Sequence, residues 1–283
     1  MADRDDPAAL RWLIGVELGN FRKRSGMRAT DAAKVLRCSS GKIGHMESGR
    51  NQQQPAEVTA LLGAYGADLA DIERLASLSG GADRPAWWAP WADVVPEWLR
   101  TFIGLEGFAS AVSDYSTFVV PALLQTREYS LGATVGGSRV RPDRAERVVG
   151  LRMERQRRLD SESAPLRLLA LIEESVLDRP IGGPAVLRRQ LEHLISQSER
   201  DNVEIRVLPT SVGLHDGGVG PFKLLDFAQA QSIAYVESIT DALYVQDHVQ
   251  VSDYTWTVAS LRELALSPAD TREAIRARLA VLS

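Results

Sequence analysis

The 283-residue chain is 45% hydrophobic and 25% charged, an ordinary globular composition with enough length for two cores. No run of residues is long and apolar enough to read as a membrane span, "MADRDDPAAL" lacks the apolar core of a signal peptide, and a single cysteine, Cys38, excludes an intrachain disulfide framework. A cytoplasmic protein with no membrane partner is expected, with Cys38 in a small apolar role rather than as a redox switch.

The net charge of −4 conceals an asymmetry. Between Arg11 and Arg50 stand nine Lys or Arg residues against Glu17, Asp31 and Glu47, so the rest of the chain carries −10. A basic segment on an acidic protein points to an anionic partner for that segment alone.

Five helices are expected in the first quarter. Leu10, Leu13, Ile14, Leu18 and Phe21 keep helical spacing up to a stop at Gly26. Thr30 is placed to cap a short second helix with Ala32, Ala33 and Leu36. Ser39 is placed to cap a third that ends near Gly49, with Ile43 and Met46 as its narrow buried stripe. Pro55 opens a fourth that Gly66 ends, and Asp68 opens a fifth through Leu78. "SLSGGADRP" reads as a linker, followed by four tryptophans between Trp87 and Trp98, better suited to anchoring the linker on a core than to caging a ligand.

Helices and strands mix beyond that point. "YSTFVV" and "LRLLALI" read as strands around a helix from about Pro142 to Leu159, and "PAVLRRQLEHLISQSE" reads as another helix. "VEIRVLP", "PFKLLDF", "IAYVES" and "ALYVQ" follow as short strands, and two helical segments close the chain. The expected fold class is multi-domain: an all-α helix-turn-helix domain over residues 1–79, a Trp-rich linker over 80–98, and an α/β (mixed α+β) effector domain over 99–283.

The third helix raises a chemical question, because its outer face is made of small and polar residues. A recognition helix entering the DNA major groove needs that face, since bulky apolar side chains are excluded where base edges are read. Ser40, Gly41, Lys42 and His45 are placed to face the groove. Ser39 is expected to cap the helix beside a phosphate, with Arg28, Thr30, Arg50 and Asn51 positioning the backbone.

The run "LGNFRKRSGMRATDAAKVLRCSSGKIGHMESGR" resembles the lambda-repressor-like, or XRE-type, helix-turn-helix regulators, including Ala33 against the recognition helix and the "I..ME.GR" ending. Arg37 stands where that family usually has a turn glycine, which implies a left-handed residue costing roughly 1–2 kcal/mol. Ala29 stands where a base-reading glutamine is common, which shifts readout towards Arg28 and Thr30. The resemblance implies a homodimer on a double-stranded DNA operator.

In the remainder, "WWAPWADVVPEWLRTFIGLEGFAS", "VVPALLQTREYS", "LRMERQRRL", "RPIGGPAVLRRQLEHL", "VEIRVLP", "GPFKLLDF" and "YVESITDALYVQD" resemble the C-terminal domain of WhiJ-like actinobacterial regulators. That implies a developmental or stress-related transcription factor, often paired with a small acidic protein encoded nearby. It implies no chemistry for the domain.

The residues themselves offer little catalysis. "GLHDGGVGPF" lacks the Gly-Lys-Ser of a P-loop and reads as a hairpin or loop turning at Asp216-Gly217. His215 and Asp216 could begin a metal or ligand site, but no second ligand motif follows. Glu173 and Glu174 suit the start of a short helix better than acid–base work. Arg152, Arg155 and Arg158 recur at three-residue steps, as a ligand or partner site or as part of a salt-bridged surface helix, and the interspersed acids favour the latter. The expectation is a non-enzymatic regulator with no metal or cofactor, whose second domain senses an unknown small-molecule effector or protein. The alternative is an antitoxin-like interaction module that binds DNA only at its own operon.

Overall fold

Asp6 caps the first helix, α1 (Pro7–Arg24), by accepting the amides of Ala8 and Ala9, with Pro7 at the first helical position. A computed structural model describes residues 6–80, 85–137 and 140–282, so four residues of the expected linker lie outside the described residues. Four further helices follow: α2 (Ala29–Val35), α3 (Ser40–Glu47), α4 (Pro55–Tyr65) and α5 (Leu69–Leu78). Ser39 caps α3 through Lys42 N at 3.2 Å, and Asp68 caps α5. Thr30 caps nothing: α2 starts two residues earlier than expected, with Arg28 at its N-cap and Thr30 inside the first turn. Arg37 holds the left-handed conformation, at φ 51°.

Ile14 and Leu18 on α1 meet Ala32, Ala33, Ile43, Met46, Leu61, Leu62 and Leu75 in one core. The other flank of α1, with Ala9, Leu13 and Val16, belongs to a second and larger core with Phe102, Leu105 and Tyr235. Every residue from Leu13 to Asn20 is therefore buried, and α1 is the common wall of both cores.

The larger core lies against a six-stranded sheet. Helix α6 (Glu97–Phe108) leads into β1 (Ala111–Ser116); α7 (Arg127–Val135) and α8 (Ala145–Gln156) cross to β2 (Arg167–Glu173); and α9 (Pro184–Gln197) crosses to β3 (Val203–Leu208). Strands β4 (Phe222–Asp226), β5 (Ile233–Glu237) and β6 (Ala242–Val245) precede α10 (His248–Leu264) and α11 (Pro268–Val281). The order across the sheet is β3-β2-β1-β4-β5-β6, with β1, β2 and β3 parallel and the other pairings antiparallel. The parallel half needs helical crossovers, which α7, α8 and α9 supply.

Val112, Leu168, Ile205 and Ile233 face the larger core, whereas Tyr115, Leu171, Leu224 and Ala234 face the α10 side with Leu261 and Val251. The segment joining α10 to α11, with the first turn of α11, seals the outer edge of β3: Leu266 N donates to Val207 O at 2.8 Å, and Val207 N donates to Thr271 Oγ1 at 3.1 Å. The tryptophans at 87, 88, 91 and 98 pack against the larger core as anchors, and Trp88 Nε1 donates to Asp6 at 2.7 Å.

Three expectations change here. The strand expected at "YSTFVV" begins earlier, at Ala111, and stops at Ser116. Helices α6 and α7 were not expected at all. Asp216-Gly217 is no hairpin turn, because β3 and β4 are separated in the sheet by β2 and β1; these residues open a 3-10 turn on a long crossing segment.

Candidate nucleic-acid interface

Ile43 and Met46 are fully buried under α3, which turns Ser40, Gly41, Gly44, His45 and Ser48 outward. The backbones of α1 and α3 touch because Gly15 has no side chain: a Cβ there would stand 2.5 Å from Met46 O. Gly49 ends the helix at φ 70°, tight against the Trp12 backbone.

Polar bonds fix the same junction. Arg22 grips Glu47 with two bonds of 2.6 and 2.8 Å and also donates to Met27 O at 2.9 Å. The buried Gln53 amide donates to Arg11 O and Met46 O. In the sequence Arg22 counts only as one of the nine cations of the basic segment, and Gln53 carries no signal. The signal available was the Glu47 that the resemblance already contained.

The His45 imidazole makes no hydrogen bond among the described residues; its backbone oxygen instead accepts Arg50 N and Asn51 N, which folds the post-helix chain onto the same end of α3. Arg50 is exposed and Asn51 half-buried. Arg28 and Thr30 are exposed at the start of α2, with Arg28 Nε on Asp31 at 3.1 Å. Two cations, Arg28 and Lys34, hold the Asp31 carboxyl down at about 2, so it stays ionised throughout the physiological range.

Lys42 Nζ rests 2.5 Å from Glu57 Oε1, and that contact raises the lysine pKa. Glu57 also completes the cap of α4 with Gln54. An exposed pair of this kind contributes about 0–1 kcal/mol, so exchanging Glu57 for DNA costs little.

The candidates in the second domain divide. His215 Nε2 lies 3.1 Å from Glu173 Oε1, while its Nδ1 accepts Gly217 N; Asp216 turns away to Ser260 Oγ at 2.7 Å. They do not converge. Glu173 also accepts Tyr115 OH at 2.7 Å, and Glu174, kept ionised by Thr210 N and by Arg278, fastens α11.

The three arginines turn inward, so the surface side of α8 is carried by other pairs, Glu146 with Arg127 and Arg147 with Asp93. Arg155 is buried in a twofold clasp with the buried Glu106, both bonds at 2.7 Å. Burial disfavours its charge, but Glu106 outweighs that and leaves the pKa raised. Among the described residues Arg158 binds only the carbonyls of Ala164 and Ala109, and burial lowers its pKa.

Against this geometry, the chain matches the helix-turn-helix domain family HTH_31 over residues 13–75 and the domain of unknown function DUF5753 over residues 99–277. No curated protein and no solved structure matches it. No helix among the described residues is long and apolar enough to cross a membrane.

Proposed function

The chain belongs to the DUF5753 family, carrying a helix-turn-helix domain ahead of that domain, and from this premise we propose that it is a cytoplasmic, sequence-specific transcription regulator of the WhiJ-like kind. It acts as a homodimer on a double-stranded operator. The second domain senses a small molecule or a protein partner such as a small acidic protein, and the function is stoichiometric binding without turnover.

The observation that carries this reading is the outer face of α3. Gly41 and Gly44 sit on a face of α3 that is open among the described residues: a Cβ at Gly44 would meet no atom within 4 Å, and one at Gly41 only Ser39 Oγ at 3.7 Å. Glycine in an exposed helix costs up to about 1 kcal/mol relative to alanine. A face kept bare at that cost, flanked by Lys42, His45, Arg28 and Arg50, suits a close approach to a groove.

The test is DNA selection followed by titration of the selected operator. Lys42→Ala and His45→Ala should each weaken operator binding by roughly 1–3 kcal/mol, about 5- to 150-fold, with unfolding unchanged. Arg28→Ala and Arg50→Ala should instead lower specific and non-specific binding alike and make the salt dependence shallower. Wild-type operator affinity in both α3 variants refutes the groove assignment.

A further inference from the structure

Helix α10 is apolar on two opposite sides. Val251, Tyr254, Val258 and Leu261 pack on the sheet. At about 100° per residue, Val249, Asp253, Trp256, Ser260 and Glu263 fall within about 80° of one another on the side turned away from it. Val249 is 62% exposed and Trp256 63%, and their seven-residue spacing puts them on one line.

That line runs into a second exposed apolar element. Ser260 donates to Asp216 at 2.7 Å, which fastens the β3–β4 connection to the outer side of α10. The connection carries Leu214 at 94% exposure and Val219 at 95%. It is not slack. His215 Nε2 meets Glu173 at 3.1 Å, Gly217 N donates to His215 Nδ1 at 3.2 Å, and Gly218 N donates to His215 O at 3.0 Å. Gly217 presses on the Tyr115 ring, where a Cβ would stand 2.6 Å from Cζ. A loop stapled at its base thus holds two aliphatic side chains in water, beside a helix that does the same with a valine and a tryptophan. Covering such surface is worth about 25 cal/mol per Å².

Charge selects the occupant. No Lys or Arg stands between Lys223 and Arg262, against five acids, Asp226, Glu237, Asp241, Asp247 and Asp253. On the exposed line, Asp253 and Glu263 pair with no cation among the described residues, and Arg262 beside them is engaged by Glu204 through bonds of 3.1 and 2.6 Å. A second copy fits badly. Laid antiparallel about Trp256, it sets Asp253 against the copy's Ser260 and the Asp216 held there; laid parallel, it sets Asp253 against Asp253. The same carboxylates repel DNA and anionic membranes.

We propose that the outer side of α10, with the loop bearing Leu214 and Val219, docks a basic amphipathic helix of a protein partner. The apolar side of that helix covers Val249, Trp256 and Leu214, with Trp256 as the anchor, and its lysines or arginines meet Asp253 and Glu263. This rests on reading the second domain as the sensor of a protein partner, and it names the chemistry of the part that docks. Only the docked helix need be basic: an acidic protein can present such a segment, as this chain does between Arg11 and Arg50. Helix α10 starts two residues after Gln246, whose carbonyl Asn20 of α1 holds at 2.8 Å, so docking bears on the helix that carries α3.

The experiment uses the full chain without DNA and a dye-labelled leucine–lysine amphipathic helix of about five turns, read by fluorescence anisotropy. The wild type should bind it with micromolar affinity that weakens as salt rises. Trp256→Ala and Asp253→Lys should each weaken binding at least about tenfold while unfolding at the wild-type midpoint, since neither side chain joins a core. Leu69→Ala, which removes an exposed leucine on α5, should bind as wild type does. A leucine–glutamate helix with the same apolar side should bind Asp253→Lys more tightly than wild type. The proposal is overturned if the lysine helix fails to bind at about 100 µM, or if either variant on α10 binds it as tightly as wild type. It is also overturned if Trp256→Ala weakens the glutamate helix equally, which would leave charge without a role. A wild-type dimer that Trp256→Ala turns into monomers in sedimentation would assign the surface to a second copy instead. None of these results bears on operator binding, so the α3 reading stands or falls separately.

Discussion

Gly44→Ala separates what α3 needs for folding from what it needs for its partner. Gly44 lies in the middle of an eight-residue helix, Ser40–Glu47, with no left-handed backbone angle and open space where a Cβ would point. Alanine there fits the existing backbone, and its helix propensity exceeds that of glycine by about 0.8–1 kcal/mol. Because α1 belongs to both cores, unfolding should engage the whole chain, and about 1 kcal/mol then raises the midpoint by about 2–4 °C. The same methyl group projects from the face bearing Gly41 and His45. If that face sits in a groove, the added methyl must be accommodated as overpacking, at roughly 1–3 kcal/mol, or a 5- to 150-fold loss of affinity. Thermal unfolding and fluorescence anisotropy on the selected operator read the two effects independently. A variant that is more stable and binds as tightly as wild type would place the DNA elsewhere. A destabilised variant would mean that the protein's own packing requires the glycine. Gly15 gives the contrast: alanine there collides with the backbone of α3 and should lower stability and operator affinity together.

Two further outcomes follow from buried groups. Glu106→Gln leaves Arg155 without its carboxylate inside the larger core and should cost about 3–5 kcal/mol, a fall in midpoint of roughly 10 °C; a shift of a degree or two would show that the pair is dispensable. The Tyr65 phenol, buried without a partner, is pushed up to about 12 by burial and then by the Glu47 charge, so the unfolded chain releases this proton near pH 10 and the folded chain only near 12. Stability should therefore fall as pH rises across that window, and Tyr65→Phe should flatten that part of the slope while leaving stability at pH 7 unchanged or higher; an identical slope in denaturation curves from pH 9 to 12 would refute the assignment.

Helices α3, α4 and α5 were legible because each has a local cause: Ser39 and Asp68 as caps, Pro55 at a helix start, Ile43 and Met46 as a stripe; α2 has no such cap, and its start was misplaced by two residues. Helix α6 hid for the opposite reason. Phe102 to Gly107 are buried without a break, Glu106 among them, and the tryptophans ahead of the helix read as part of a linker, which masked its start. Strand β1 hid because Asp114 and the two serines dilute its apolar pattern, while Phe118, in the segment taken for the strand, is largely exposed. The inward arginines were the hardest to read. Acids stand between them in sequence, but Glu106, the carboxylate that holds Arg155, lies 49 residues away and is brought in only by the packing of α6 on the sheet. Charge spacing along one helix carries no information about such a partner.

The sharing of α1 decides how far the two halves can act separately. Glu17, buried in the wall, accepts Gln231 N at 2.7 Å from the β4–β5 connection and Arg74 Nη1 at 3.3 Å from α5, and Arg74 reaches on to Gln229 O. Asn20 donates to Gln246 O, just beyond β6. The recognition helix rests on the same α1 with no side chain between the backbones at Gly15, and its end is pinned at Gly49 against Trp12, the residue that also meets Tyr244. Leu13 and Val16 could leave the larger core only by exposing apolar surface, at about 25 cal/mol per Å². A swinging domain on a slack linker would pay that cost with every excursion. A tilt or slide of α1 keeps both cores closed while re-aiming α3, and small helix shifts of this kind are an established way for packed interfaces to switch. The rigid wall, rather than the linker, is the element through which events at β5 and β6 can reach the outer face of α3.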